Sequence, residues 1–397
     1  MTVQNTVTKP PLEGIRVLEL AQLLPGPLLA RKLGDLGADV VKVEPPRGDP
    51  MRMFPPIINE RSVMFEAVNR GKRSIAFDLR KQQDRERLDT LLDVADVVVE
   101  GYRVGALAAL GVDLEKARKR RPELVVCSIS GFGQDGPLAH LPAHGLNVDF
   151  LSASSTVTGT EGDYRLSSDV SYGVELGAIN GAVAVLAALI RARTSGQGTW
   201  LDVSCWDASV EAHRLNLYPM LAGQPIPGLT GSHSPMQSIY RAQDGAFVQI
   251  MATEKRLWQN FWNALGRQDM ADSWQQRDYI DETERPGDRQ MREEIARIIA
   301  GAPGSEWTRR FTEWGVAGCA LLTEKQVVEH PHLLARGLVG ESAQTSLPFI
   351  ADPVRFADDD WRPAADGSPA PVLNADEDSV LRSWAKADTS IDHTEKK

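Results

Sequence analysis

The sequence predicts an α/β protein with a large, doubly wound domain and a second, smaller domain. Short apolar strands alternate with helices over residues 10–204, an order that is typical of a parallel sheet covered by helices on both faces. The composition then shifts at residues 222–235, AGQPIPGLTGSHSP, which has the Gly and Pro content of a linker. A chain of 397 residues is also long for one hydrophobic core, so two domains are expected.

The first elements predict a βαβ unit. Residues 15–20, IRVLEL, form the apolar run of a strand, and a helix is expected over residues 28–36, ending at Gly37. Residues 38–44, ADVVKVE, predict the second strand. No G-x-G-x-x-G follows the first strand, so dinucleotide binding has no support.

The same alternation continues to residue 204. The segments SIAFDL, DVVVEGY and ELVVCSISGFG predict strands, and KQQDRERLDTLLDVA and residues 114–119 predict helices between them. Several loops are basic, among them EPPRGDPMR, VNRGKR and EGYRVG. Because ligands of such sheets bind at the carboxyl ends of the strands, these loops favour a site for an anion such as a phosphorylated cofactor. For any single Lys or Arg, a solvated loop side chain is the simpler interpretation.

One acidic residue, Asp169, stands just before a long apolar helix. Residues 174–190 are almost all Ala, Val, Leu, Ile and Gly, so the helix is expected to be buried on every face. Its length and its Glu175 and Asn180 favour a core helix over a membrane span. The unpaired N–H groups at a helix start stabilise a carboxylate there. Asp169 or Ser171 therefore caps this helix, or Asp169 does chemistry.

The second half of the chain predicts an α+β domain. Asp244-Gly245 is the turn of a β-hairpin, residues 255–266 form an amphipathic helix, and residues 315–323 form a strand. The following segment returns toward the first domain. The expected division is a disordered leader (1–10), a large domain (11–221 and 330–386), a linker with the small domain (222–329), and a flexible tail (387–397).

Composition and charge narrow the functional classes. A hydrophobic content of 42% and a charged content of 25% are ordinary for a soluble enzyme. The net charge of −10 argues against binding to nucleic acid or to a membrane surface. Cys127, Cys205 and Cys319 have no metal-ligand spacing, which predicts buried free thiols and no bound metal. The N-terminus has no apolar signal core, so a cytoplasmic protein is expected.

Nine segments spread over nearly the whole chain occur in the same order as in one known protein family. They are PLEGIRVLEL, LGADVVKVEPPRGD, NRGKRSIAFDLR, ADVVVEGYRVG, PELVVCSISGFGQDGPLA, RARTSGQGTWLDVS, YRAQDGAFVQI, HPHLLARG and PFIADPVRF. Together these segments resemble the family III CoA-transferases, of the CaiB/BaiF type, a group that also contains the α-methylacyl-CoA racemases.

The resemblance implies a Rossmann-like large domain built from both ends of the chain, a smaller domain, and a homodimer of interlocked chains. It also implies an acyl-CoA thioester and a small carboxylic acid as substrates, with no permanently bound cofactor. By position, the adenosine end of CoA could meet Arg47 and Arg52, and the CoA groove would be lined by Lys72, Arg73, Tyr102, Arg103, Gly131, Phe132 and Gly133.

In the transferases of this family the aspartate before the long apolar helix is the nucleophile, and Asp169 matches it. Such a carboxylate attacks the thioester to give a mixed anhydride and CoA thiolate, which returns to form an aspartyl thioester. A second carboxylic acid then takes over the CoA. The helix start would supply N–H donors for the oxyanion.

The racemase branch uses Asp169 differently, as one of two bases on either side of the α-carbon. Its second base is a His in a G-H-D-I-N-Y segment, which corresponds to residues 143–150, AHGLNVDF. His144 and Asn147 match that segment, while the positions that depart from it are Ala143, Gly145 and Val148.

Glu254 also fits the racemases, which place a Glu near the start of the second-domain helix. Against that branch, SDVSYGVELG departs from the racemase pattern at the helix start, and the loop between His144 and Asp169 is short. Transfer through Asp169 is therefore the first expectation, with racemisation by His144 and Asp169 as the alternative. A non-catalytic CoA-binding protein is disfavoured because Asp169 is present.

Overall fold

A computed structural model describes residues 9–166, 170–224, 234–276, 284–357, 361–364 and 366–386. Asp169, most of the expected leader and the expected tail 387–397 lie outside these residues. The chain divides into two compact units, residues 1–214 with 334–397 and residues 215–333. The boundaries predicted from the sequence are 221/222 and 329/330.

In the first unit, most strands and helices alternate along the chain. Its strands are β1 (Arg16–Leu20), β2 (Asp39–Glu44), β3 (Ile57–Ile58), β4 (Arg61–Ser62), β5 (Arg73–Ala76), β6 (Val97–Glu100), β7 (Val125–Ser130), β8 (Val157–Thr160), β9 (Asp163–Leu166) and β10 (Trp200–Ser204). Its helices are α1 (Pro25–Asp35), α2 (Val63–Asn69), α3 (Gln82–Leu92), α4 (Ala106–Ala109), α5 (Leu114–Arg120), α6 (Gly145–Leu151), α7 (Tyr172–Ser195) and α8 (Cys205–Ala212).

Six of these strands form a parallel sheet in the order β10-β7-β6-β1-β2-β5. The chain starts at β1, moves outward through β2 and β5, and then returns to the other side of β1 with β6. This order confirms the predicted doubly wound sheet. The chain adds strands on one side of β1 first and on the other side from β6 onward, so the strand order reverses between β1 and β6. Open α/β sheets bind ligands in the crevice at the carboxyl ends of two strands where the order reverses.

Both faces of the sheet are covered, which explains the continuous apolar runs of its strands. Val97 and Val99 of β6 belong to the core that includes α1 and α7, whereas Val98 belongs to the core on the opposite face. Val380 and Trp384, from the C-terminal part of the chain, complete that opposite core. Both ends of the chain therefore build the large unit, as the resemblance implied.

The apolar helix α7 differs from the prediction. Its Gly181 faces α1 so closely that a methyl group there would lie 2.4 Å from Leu29 Cδ1, and this side of the helix belongs to the core. The other side carries Ile179, Val183 and Ile190, which are 43%, 61% and 66% exposed. Because residues on every face of this helix are apolar, its sequence pattern does not indicate which face is buried. By length and composition it could span a membrane, but half of its apolar window is packed inside the unit.

The second unit is built on an antiparallel sheet in the order β11-β12-β13. The remaining elements along the chain are α9 (Arg214–Leu221), β11 (Gln237–Arg241), β12 (Phe247–Met251), α10 (Lys255–Ala264), α11 (Gln268–Asp272), α12 (Asp288–Ile299), α13 (Gly304–Trp314), β13 (Gly318–Ala320), α14 (Glu324–Val328), α15 (Pro331–Ala335), β14 (Val339–Glu341), β15 (Pro348–Ile350) and α16 (Glu377–Lys386). The last three belong to the large unit.

The predicted hairpin of the second unit is confirmed. β11 and β12 pair antiparallel around Asp244-Gly245, where Gly245 has a φ of +83°. Such a backbone conformation favours glycine. Cys127 and Cys205 are buried free thiols as predicted, but Cys319 in β13 is exposed. Successive side chains of a strand point to opposite faces, and Cys319 points away from the face on which Ala320 is buried.

Candidate active site

The loops at the carboxyl ends of β1, β6 and β7 lie in close contact. A methyl group at Gly101, after β6, would lie 3.2 Å from Ala21 Cβ in the loop after β1. A methyl group at Gly131, after β7, would lie 2.2 Å from Ala143 Cβ. The predicted Gly131 therefore permits the β7 loop to pack against the segment that leads into α6. Gly133 has a φ of +84°. Phe132 was predicted to line the CoA groove, but its side chain is buried in the core, where it supports the β7 loop.

His144 immediately precedes α6, and its side chain is exposed. Its backbone N–H donates a hydrogen bond of 2.6 Å to Asn147 Oδ1, which closes the first turn of the helix. The next residue, Gly145, packs against Ser171, since a methyl group at Gly145 would lie 2.9 Å from Ser171 Cβ. The segment that carries His144 therefore contacts the start of α7, the helix that Asp169 precedes in the chain.

The cap of α7 is Asp149, a residue that the sequence analysis did not single out. Its side chain is fully buried, and its Oδ1 accepts a hydrogen bond of 2.7 Å from the backbone N–H of Gly173. Ser171, at the N-cap position, makes no capping hydrogen bond with its side chain. The interpretation in which Ser171 caps the helix through its side chain is therefore wrong, and a carboxylate from α6 accepts the Gly173 N–H instead.

A small polar cluster surrounds Asp149. Ser209 Oγ of α8 donates to Asp149 Oδ1 over 3.2 Å and lies 2.7 Å from Ser152 Oγ and 2.9 Å from Ser154 Oγ. Burial and the nearby charge of Asp149 raise the pKa of the Cys205 thiol to about 12. Cys205 thus stays protonated near neutral pH and is not a nucleophile.

Lys72 was predicted to line the CoA groove, and this prediction is wrong. Its side chain is buried, and its Nζ lies 2.7 Å from Glu19 Oε2 and donates to Pro27 O and Asn69 Oδ1 over 2.8 Å each. Burial lowers the pKa of Lys72 to about 8, against the attraction of Glu19. Two hydrogen bonds and one ion pair hold the ammonium group in the interior of the fold, away from any phosphate of a bound CoA.

Arg52 and Arg73 are also engaged within the fold, which corrects their predicted roles. Arg52 donates from Nε to Glu44 Oε2 over 2.8 Å and from Nη1 to Pro371 O over 3.0 Å. Arg73 donates from Nε to Asp39 Oδ1 over 3.0 Å. Since Asp39 and Arg73 are the first residues of β2 and β5, this pair lies at the amino ends of the strands, opposite the crevice.

Two of the predicted cations remain free. Arg47, in the turn after β2, and Arg103, after β6, are exposed and have no ion-pair partner within the described parts of the chain. Tyr102 is half-buried, and its backbone N–H donates to Glu100 Oε2 over 2.9 Å. Burial and the neighbouring Glu100 carboxylate raise the pKa of Tyr102. The loop after β6 therefore presents a neutral phenol beside one unpaired guanidinium.

Glu254 lies in the second unit, directly before α10, and is exposed. Its Oε2 accepts a hydrogen bond of 3.4 Å from Thr253 Oγ1. In the segments that the structure describes, no three His, Cys, Asp or Glu side chains form a group suited to a metal ion.

Comparison with known proteins points to one family. The sequence profile of CoA-transferase family III matches residues 12–377. The succinate–glutarate CoA-transferase of Agrobacterium fabrum is 35% identical over 276 residues, which cover 66% of this chain and 68% of that protein. The succinyl-CoA:mesaconate CoA-transferase of Haloarcula hispanica is 30% identical over 380 residues, which cover 91% of this chain and 93% of that protein.

A solved structure shows the same fold. A CaiB/BaiF family protein from Brucella suis superimposes with a TM-score of 0.78 at 26% identity, over 95% of this chain and all of that one. The similarity extends over both units of the chain, in agreement with the span of the profile match.

Proposed function

The chain belongs to CoA-transferase family III and is a CoA-transferase, and we propose that it transfers CoA through a covalent intermediate on Asp169. The donor is an acyl-CoA thioester and the acceptor is a carboxylic acid. The observation that carries this proposal is the cap of α7: Asp149 accepts the N–H of Gly173, so this N–H does not require Asp169 as its acceptor. A carboxylate that is not required for capping is available as a nucleophile.

The proposed steps balance without a redox or metal cofactor. An Asp169 oxygen attacks the thioester carbon, the C–S bond breaks, and CoA leaves as the thiolate, which leaves a mixed anhydride. The thiolate attacks the aspartyl carbon and releases the first carboxylate, so CoA is now bound to Asp169 as a thioester. The acceptor carboxylate repeats both steps in reverse order and departs as the new acyl-CoA, while Asp169 is regenerated.

We place CoA along the crevice between β1 and β6. Arg103 stands at the mouth of this crevice and is one of the two predicted cations without an ion-pair partner in the described part of the chain. Arg47 is the other, and it supplies the second positive charge for the phosphates of CoA. The β7 loop at Gly131 connects the crevice to the segment of His144 and to α7.

A homodimer is part of this proposal. The exposed side of α7 carries Ile179, Val183 and Ile190 at helical spacing, an apolar stripe that a second copy of the chain would cover. The interlocking of the two chains that the resemblance implied also belongs to the proposal.

The reaction is tested by offering an acyl-CoA with and without an acceptor acid. Succinyl-CoA with glutarate or mesaconate is the first choice, because these acids appear in the names of the two relatives. We expect a new acyl-CoA, detected by mass spectrometry, only when the acceptor is present. A parallel reaction contains a 2-methylacyl-CoA in deuterated water. Uptake of deuterium at the α-carbon without an acceptor would instead show a racemase that uses His144 and Asp169.

His144→Ala separates these two outcomes at the level of one residue. In a transferase His144 only orients a carboxylate, so we expect kcat/KM for transfer to fall by about tenfold or less. Loss of one of two racemase bases would remove the reaction almost completely. The matched control is His140→Ala, which removes another exposed histidine four residues earlier and should leave transfer unchanged. A loss of transfer equal to that of an Asp169 variant would contradict the orienting role.

A further inference from the structure

Asp149 joins three helices through one carboxylate. It lies in α6, its Oδ1 accepts from the Gly173 N–H of α7 over 2.7 Å, and the same oxygen accepts from Ser209 Oγ of α8 over 3.2 Å. The contact is close because position 173 is glycine. A methyl group there would lie 2.8 Å from Val148 Cγ1 and 2.9 Å from Cys205 O.

Capping α7 with this buried carboxylate has a destabilising effect on the fold. The residue is fully buried, and its Oδ2 has no hydrogen-bond partner among the residues that the structure describes. Burial of a charged group with an unsatisfied oxygen destabilises a fold, and the positive end of α7, the Gly173 N–H and the Ser209 hydroxyl offset this cost. Ser171 stands at the N-cap position with a hydroxyl that could cap the helix without any buried charge. Stability alone therefore does not account for Asp149.

We propose that Asp149 is a positioning residue for Asp169, an inference that rests on the proposed function. Aspartate side chains near a helix start bond readily to its free N–H groups. A carboxylate held by such bonds has a lower pKa and is a weaker nucleophile. By accepting the Gly173 N–H from α6, Asp149 removes one of the N–H groups for which the Asp169 carboxylate would compete. Asp169 then remains available to the thioester.

The same contact fixes the position of the His144 segment. His144 and Asp149 stand at opposite ends of the short helix α6, and Gly145 packs against Ser171 at the start of α7. The hydrogen bond from Gly173 to Asp149 holds the last turn of α6 against the same helix end. Loss of this bond is thus expected to affect the step in which Asp169 attacks more than the binding of CoA.

The test compares Asp149→Ala with Asp149→Asn. The alanine variant leaves the Gly173 N–H unpaired, whereas the asparagine Oδ1 can still accept it. The rate of Asp169–CoA adduct formation in a single turnover is measured by mass spectrometry, together with kcat, KM and Tm. For Asp149→Ala we expect adduct formation and kcat to fall by at least about tenfold while KM for the acyl-CoA stays within about twofold. For Asp149→Asn we expect both rates to stay within about threefold of the wild type.

Asp113→Ala is the matched control. Asp113 also caps a helix, α5, by accepting the Lys116 N–H over 2.9 Å. We expect this variant to lower Tm without a change in the rate of adduct formation. If Asp149→Ala does not fold, Asp149→Ser replaces it, since its hydroxyl ends one bond short of the Asp149 Oδ1 position but keeps a polar group beside Ser209.

The outcomes are distinguishable. Adduct formation at the wild-type rate in Asp149→Ala, or a change in KM alone, overturns the positioning role and leaves the proposed function intact. If Asp149→Asn is as slow as Asp149→Ala, the hydrogen bond to Gly173 is not the cause and the inference also fails. If the wild type itself forms no adduct, the proposed function falls, and this inference falls with it.

Discussion

Asp169→Asn is expected to abolish CoA transfer and to leave the protein folded. The amide cannot form the mixed anhydride or the aspartyl thioester, so kcat should fall by about 10⁴-fold or more, as it does when a covalent nucleophile is removed. The fold should tolerate the change because the Gly173 N–H of α7 already has an acceptor in Asp149. The measurements are acceptor-dependent acyl-CoA formation, the mass of the CoA adduct after quenching, and Tm.

The control for this prediction is Asp163→Asn. Asp163 is an exposed aspartate of β9, six residues before Asp169, and its ion pair with Arg165 is also exposed. Exposed pairs of this kind contribute roughly 0–1 kcal/mol, so this variant should keep both its stability and its activity. An adduct on any residue other than Asp169, or transfer by Asp169→Asn at more than about a hundredth of the wild-type rate, would refute the assignment of the nucleophile.

The sheet could be predicted from the sequence because local patterns determine it. Each central strand is a short apolar run that ends in a polar loop, and both faces of the sheet bury side chains from β7, β6, β1 and β2. The return of the C-terminal segment was predicted only in outline, since Val380 and Trp384 lie in a short helix with no local sign of its partner.

The groove residues were predicted less well. Lys72 and Arg73 follow the loop residues Arg70 and Gly71, where the sequence alone favours free cations. Their actual partners, Glu19 and Asp39, are distant in sequence and become neighbours only in the sheet. One signal could have revealed the first pair. Glu19 interrupts the buried run VLEL, and a buried acid requires a cation close to it.

The cap of α7 could not have been predicted from a local pattern. Asp149 sits inside a short helix, whereas the N–H that it accepts belongs to Gly173, 24 residues later in the chain. Helix caps usually come from the position just before a helix, so a local pattern points to Ser171 and not to Asp149. The sequence therefore indicated Asp169 as a candidate nucleophile, whereas the capping role of Asp149 is visible only in the three-dimensional structure.

The second large effect is expected from the buried ion cluster, which we define as Glu19, Lys42, Asp49 and Lys72. Lys42 lies at its centre, with Nζ 2.7 Å from Glu19 Oε1, 2.9 Å from Asp49 Oδ2 and 2.8 Å from Ala21 O. The side chains of Glu19, Lys42 and Asp49 have no solvent exposure. Burial would lower the pKa of Lys42, but the two carboxylates outweigh it and raise that pKa. Lys42 is therefore protonated throughout the physiological range.

Lys42→Met should destabilise the fold by about 3–5 kcal/mol, because it leaves two buried carboxylates with only Lys72 to balance them. The loop after β1 should loosen as well. Ala21 O loses its donor, and Asp49, which accepts the N–H of Leu23, loses its cation. Leu23 has a φ of 64°, a conformation that a leucine adopts only where its surroundings hold it. The free energy of unfolding, measured in urea, gives the size of the effect, provided that the transition is cooperative.

Lys9→Met is the matched control, since Lys9 pairs with Glu13 at side-chain exposures of 81% and 48%. That change should alter the free energy of unfolding by less than about 1 kcal/mol. A further variant, Lys42→Met with Glu19→Gln, separates the charges from the shape of the site. It removes one positive and one negative charge together, so it should lose less stability than the sum of the two single changes. One contradicting result is that Lys42→Met lowers the free energy of unfolding no more than Lys9→Met does, and another is that the effects of Lys42→Met and Glu19→Gln on it are additive. Either result would show that the cluster does not hold the loop after β1 by its charges. In that case the crevice beside β1 is shaped by packing alone.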